Sequence, residues 1–324
     1  MTFARQVSRL AWGVGVFAIG LAGLFVLVRF LKSHSDIVHD IAFSPDGKSV
    51  VSAGDDGRMI VWDSTWGWGR ELPDRTVAVF GVDFSPDGRS LAAETWNGST
   101  SIIQIRDSKS WNILWSLKIG SYQAGVLRYS PDGATLAFQM SNGISLLDVA
   151  SRKVRATIRH VDVRSLAFSP DGKSFAGGCG DGTVRIWETL SARETRILQG
   201  HKGWVLSVDF SPDGLNLASC ATDILGSYNA KGEARIWNVA TAEVTAQFAG
   251  SSSVDAVAFS PRGKTLAIGQ GIGTVTLADV SEIQTIETRM GIRGGVTSLA
   301  FSPDGTVLAA GGASGQVRLL RNLP

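Results

Sequence analysis

Four histidines (His34, His39, His160, His201) and two cysteines (Cys179, Cys220) are the strongest candidate ligands and nucleophiles in this 324-residue sequence. His34, Ser52 and Asp56 supply the residue types of a hydrolytic triad, in which the serine attacks, the imidazole moves the proton and the carboxylate orients it. No GxSxG elbow, the sharp turn that would expose such a serine, accompanies them. The histidines fall in no HExxH, the cysteines in no CxxC, so neither a metal ion nor another cofactor is expected. GGCGDG at 177–182 and GQGIG at 269–273 resemble phosphate-binding loops. Both stand between short strand-like runs with no helical pattern after them, so the amides of a helix N-terminus are missing and both read as hairpin turns. The cysteines read as small buried hydrophobes. A formal charge of +2 creates no field that would gather nucleic acid.

The elements that would hold these side chains repeat along the chain. FSPDG occurs at Phe43, Phe84, Phe168, Phe210 and Phe301, with YSPDG at Tyr129 and FSPRG at Phe259. The steps between copies are 41, 45, 39, 42, 49 and 42 residues, the period of a four-stranded propeller blade. Within a copy, alternation at Val38, Asp40, Ile41 and Phe43 makes a short strand. Ser-Pro-Asp-Gly then turns the chain, proline presetting φ and glycine accepting a positive one. SVVSAG and RMIVW follow as second and third strands, separated by a turn at Asp56-Gly57. The expectation is an all-β, seven-bladed propeller over 28–324.

DGRMIVWD at 56–63, DGTVRIWE at 181–188 and GHKGWVLSVDFSPDG at 200–214 resemble the WD40-repeat family, here of a bacterial, membrane-anchored type. The likeness covers nearly the whole chain after residue 28. It implies a buried hydrogen-bond network of His, Ser, Asp and Trp in each complete repeat. That assigns His34, Ser52, Asp56 and Trp62 to structure in the first repeat, and His201, Ser219, Asp223 and Trp237 in the fifth. Arg106, Leu147, Ala278 and Leu320 replace the tryptophan elsewhere, and Gly177 replaces the serine of the fourth repeat. The likeness also implies a non-catalytic scaffold that binds other proteins. Trp96, Trp204 and Tyr228, the last in an insertion between Asp223 and Arg235, lie on the face such proteins use and are the candidate partner-binding residues. STWGWGRE at 64–71 belongs to the opposite face, where Trp66 and Trp68 could meet lipid headgroups.

Leu10 to Val28 is a run of 19 residues without a charged or strongly polar side chain. As a helix it would be roughly 28 Å long, enough to span hydrocarbon. The expected organisation is a short tail at 1–9, a transmembrane helix at 10–27 and the propeller from 28. Ala11, Gly15, Ala18 and Ala22 form a stripe of small residues where a second membrane helix could pack. Arg5 and Arg9 before the run favour an inside N-terminus, hence a single-pass protein of a bacterial inner membrane with its propeller outside the cytoplasm. Laying 194–214 over 27–47 aligns Arg196 with Arg29 and His201 with His34. Residues 28–33 are therefore expected as the outer strand of the seventh blade, which has no such strand after Leu320. The function expected is an accessory subunit of a membrane complex. The rival readings are a TolB-like periplasmic propeller, favoured by six blades, and a ligand site or catalysis in the central channel. The latter has little support from inner strands that read VAF, VDF and LAF.

Overall fold

The computed structural model describes residues 17–21, 24–28, 33–120, 125–223, 231–282 and 284–324. From Val38 onward the chain makes seven antiparallel sheets spanning 38–71, 78–120, 127–159, 163–198, 204–249, 254–290 and 296–320, numbered here as blades 1 to 7. Each is laid down in chain order, innermost strand first; among the described residues six have four strands and blade 7 has three. The blades number seven, not the six that would favour a TolB-like propeller.

The repeated turn explains why consecutive strands pair so regularly. In blade 1 the Ser44 hydroxyl donates to Asp46 Oδ1 at 2.6 Å, and that oxygen also accepts the Lys48 N–H at 3.0 Å. Gly47, at φ 69°, completes the reversal in a conformation that disfavours a side chain. Ser85, Ser130, Ser169, Ser211 and Ser302 make the same contact with the aspartate two residues on. The hydroxyl donors hold these carboxyls below the ordinary aspartate range, Asp304 at about 2. Turn glycines also sit against the preceding blade's proline: Gly88 on Pro45, Gly133 on Pro86, and Gly47 on Pro303, the contact that joins blade 7 to blade 1.

The core lies between sheets. Val51, Met59, Val82 and Leu91 fill the seam of blades 1 and 2. Val38, Ile41, Trp62 and Ala309 fill that of blades 7 and 1. Small residues admit close approach: a Cβ on Gly311 would stand 2.7 Å from Val38 and one on Gly269 2.5 Å from Val296. Six inner strands carry a register shift near their start, as between Val38 and Asp40, and the bulge turns the skipped residue toward the channel mouth.

Two expectations meet the structure differently at the ends of the chain. Within the expected membrane helix, Phe17–Leu21 and Leu24–Val28 pair as an antiparallel hairpin, a form that their aromatic and β-branched residues suit. No helix among the described residues is long and apolar enough to cross a membrane. Ala18 pairs with Leu27 in that hairpin, while Ala11, Gly15 and Ala22 lie outside the described residues. For the closing strand, residues 29–32 lie outside the described residues and Val28 pairs with Phe17. Among the described residues Val317–Leu320 is bonded on one side only, to Leu308–Gly312. Leu320 is half-buried, whereas its counterparts Trp62, Arg106, Leu147, Trp187, Trp237 and Ala278 are buried.

Candidate functional site

His34, Ser52, Asp56 and Trp62 come together, with the distances of a charge-relay triad. His34 Nε2 lies 2.7 Å from Ser52 Oγ and Nδ1 lies 2.9 Å from Asp56 Oδ1. Ser52 is nevertheless fully buried, and its Oγ accepts the indole N–H of Trp62 at 2.8 Å. The ionised Asp56 can only accept, so Nδ1 carries a proton toward it, and in the neutral ring Nε2 then accepts the Ser52 hydroxyl proton. Against the upward pull of burial, hydrogen bonds from His34 and the Ser35 amide hold the Asp56 carboxyl down at about 2. A nucleophile without access to substrate is a structural bolt.

Blade 5 repeats this arrangement with one change. His201 Nε2 lies 2.6 Å from Ser219 Oγ, which accepts the Trp237 N–H at 2.7 Å. Nδ1 meets Glu233 Oε1 at 2.8 Å, not Asp223 as expected. The second and third strands of this blade extend to Thr222 and begin at Gly232, so Asp223 is carried beyond the histidine and Glu233, paired with Ala221, takes its place. Burial lowers the His201 pKa despite the opposing pull of Glu233.

Of the candidate partner residues, Trp96 and Trp204 share one face and lie on different sides of it. Trp204 opens the inner strand of blade 5, is 41% exposed, and has the Arg164 guanidinium 4.5 Å above its ring. Arg164 is held in turn by Asp162 at 2.9 Å. Trp96 ends the second strand of blade 2 and is half-buried. Tyr228 lies outside the described residues. Two blades, 3 and 4, lie between Trp96 and Trp204 by the shorter way round the ring, so they do not form one patch. Between them lies the channel mouth, where His39 meets Phe80 edge-on at 5.2 Å and Asp55 at 3.4 Å.

The channel is more polar than the strand sequences suggested. This cavity of about 580 Å³ is lined by the inner strands and includes Asp40, Asp83, Arg128, Asp209 and Asp255. Arg128 reaches Asp40 at 2.7 and 3.2 Å. Asp83 accepts the Tyr129 amide and Asp209 the Phe259 amide, each at 2.7 Å, and Asp40 accepts the Val82 amide at 3.1 Å. These bonds stitch the inner strand of blade 1 to that of blade 2, blade 2 to blade 3, and blade 5 to blade 6. Asp83 and Asp209 retain some surface, but enclosure by the ring of strands raises both carboxyls to about 6. Burial opposes the Arg128 charge, and Asp40 more than restores it. The signal was present in the sequence: the residue just before the aromatic of each SPDG or SPRG turn reads Ala42, Asp83, Arg128, Ala167, Asp209, Ala258 and Ala300. One position repeated seven times lines the channel, and three of its occupants are charged.

Among the described residues no group of three or more His, Cys, Asp or Glu is placed to hold a metal ion. Cys179 and Cys220 are buried free thiols whose pKa values burial raises, Cys179 to about 11. The glycine runs containing Gly182 and Gly273 are strand-to-strand turns.

Comparison with known proteins bears on this geometry. The family model for the WD domain, G-beta repeat, matches residues 25–63, 152–188, 192–238 and 283–320. A guanine nucleotide-binding protein subunit beta of Oryza sativa subsp. japonica is 28% identical over 273 residues, 76% of this chain and 70% of the rice protein. Subunit beta-1 of Nicotiana tabacum is 27% identical over 271 residues, with the same coverage. Nuclear distribution protein PAC1 of Arthroderma benhamiae is 28% identical over 212 residues, 64% of this chain and 37% of that protein.

Proposed function

From a chain of WD40 repeats folded into a seven-bladed propeller, we propose a non-catalytic scaffold, tethered to a membrane, that binds another protein on its channel-mouth face. The observation that carries the binding face is Trp204, a large exposed aromatic held by Arg164 on a rigid strand. Aromatic anchors of this kind concentrate binding energy at interfaces. The beta subunits among the relatives are by name parts of an assembly, and the likeness supports reading this chain as a subunit as well.

The tether is the apolar run from Leu10 to Val28. A two-stranded ribbon leaves both outer edges unpaired, which hydrocarbon does not tolerate, so a membrane would require this run to be helical. The closing strand is the natural partner of the bare edge of Val317–Leu320. The first repeat match begins at residue 25, as the third begins at 192, just ahead of the outer strand Glu194–Leu198. His34 N–H already bonds Gly315 O at 3.1 Å, the entry point for such a strand. Arg5 and Arg9 support a propeller outside the cytoplasm, and the small-residue stripe of Ala11, Gly15, Ala18 and Ala22 supports a host complex with membrane subunits.

The test is extraction in mild detergent followed by identification of copurifying proteins. A genuine partner is recovered about tenfold less with Trp204→Ala, the loss expected on removing one interface anchor. Equal recovery with both chains rejects the assigned face. A second reading, a small-molecule site in the channel, draws on the Asp40, Asp83, Arg128 and Asp209 cluster. It requires a ligand whose binding is abolished by Arg128→Met.

A further inference from the structure

We propose that the turn carrying Trp66 and Trp68 is a bilayer-contact site that seats in the phospholipid headgroup layer and turns the channel-mouth face away from the membrane. It rests on the tether reading and adds the orientation of the disc. Trp66 is 69% and Trp68 51% exposed, the two most exposed tryptophans among the described residues. Their rings stack at 6.3 Å with a 29° tilt, presenting one apolar slab with polar N–H edges. An indole is suited to that boundary because one part is apolar and the other hydrogen-bonds.

The turn is rigid, so the exposure is built in. Asp63 Oδ1 accepts the Thr65 and Trp66 amides at 2.9 and 2.7 Å, and the Asp63 amide donates to Trp68 O at 2.9 Å. Gly69 follows because the Trp62 ring leaves no room for a Cβ, which would stand 2.9 Å away. Among the described residues no other exposed tryptophan lies on a turn between third and outer strands; the equivalents hold Lys109 and Ser110, Ser151 and Arg152, or Ala240 and Thr241.

What covers these indoles follows from where the apolar run must end. Arg321, one residue beyond the strand Val317–Leu320, donates from Nη2 to Ser64 O at 2.6 Å and Thr65 O at 2.9 Å. The tryptophan turn is thereby clamped to the lower end of the bare edge. His34 is bound at Gly315, at the upper end. The chain before His34 runs down that edge if it pairs as the outer strand of blade 4 does, where Trp187 pairs with Glu194. The same register sets Leu27 opposite Leu320, adjacent to Arg321 and the turn. In that register the last apolar residues of the run would reach the propeller beside Trp66 and Trp68. Trp204 sits at the opposite ends of the strands and faces away.

The test uses the full chain in vesicles of phosphatidylcholine and phosphatidylglycerol in equal amounts, with nitroxide-labelled lipid quenching tryptophan emission. Trp12, Trp66 and Trp68 are then the lipid-accessible indoles, so Trp66→Ala with Trp68→Ala removes about two thirds of the quenched emission. Trp204→Ala leaves it unchanged. Undiminished quenching in the double variant, or a loss in Trp204→Ala, overturns the site. Alkaline carbonate separates the two readings: a chain that resists extraction yet quenches equally with and without Trp66 and Trp68 overturns only the contact site. Release of the unsubstituted chain overturns the tether, and the site with it.

Discussion

Blades 1 and 2 are neighbours with the same four-strand plan and opposite solutions for their buried polar groups. In blade 1, His34, Ser52, Asp56 and Trp62 satisfy one another in a closed chain of hydrogen bonds. In blade 2 the tryptophan position holds Arg106, fully buried, whose guanidinium bonds Gln104, Asp74 and the Trp111 carbonyl. Its second strand also buries Glu94, neither of whose carboxyl oxygens is hydrogen-bonded among the described residues, where blade 1 has Ala53. Burial raises that carboxyl to about 8. The sheets still stack alike, so apolar contact between blades sets the architecture and the polar network is a local, replaceable fastening.

The largest expected break in this comparison is by pH. The folded carboxyl of Glu94, at about 8 against an ordinary 4.5, keeps a proton that the unfolded chain releases. Its stabilising contribution is complete below pH 4.5 and is lost as pH rises toward 8, on the order of 3–5 kcal/mol. Urea unfolding of Glu94→Gln should show that slope flattened, leaving the smaller fall, ending near pH 6, that Asp83 and Asp209 contribute. An unchanged slope would mean that Glu94 is ionised in the fold. Next, Arg106→Ala should cost about 3 kcal/mol, because it empties a buried site and strands Gln104. Ser52→Ala and Ser219→Ala should each cost about 2 kcal/mol by removing the shared acceptor of a buried indole and the donor to a histidine. Equal losses in blades 1 and 5 would establish that the two fastenings are equivalent. The smallest contrast lies within blade 5, where Glu233→Gln should lower stability by about 1 kcal/mol and Asp223→Asn change it by less than about 0.5 kcal/mol.

Much of the fold was legible because its signals are local. Pro and Gly in each SPDG turn act within four residues, and strand alternation acts within six, so seven repeats announce seven hairpins. The blade 1 network was legible for the same reason, since spacing within a repeat survives folding. Glu233 was not, because an insertion shifted which residue stands opposite His201. The channel cluster was missed although Asp83, Arg128 and Asp209 each sit at one fixed place before a turn. Single aspartates in separate repeats acquire a common role only when a ring brings them together. The tryptophans of the binding face were legible as residues, but not the two blades that lie between them.

The sequence by itself determined the number of blades, the chemistry of their turns and the presence of one apolar run, because periodicity and composition need no third dimension. The tertiary structure decided which side chains meet across the ring: Arg128 with Asp40, Arg164 with Trp204, and Arg321 with the turn of Trp66. Those contacts join residues dozens to hundreds of positions apart, and closure of the circle, not any local preference, sets the distances between them.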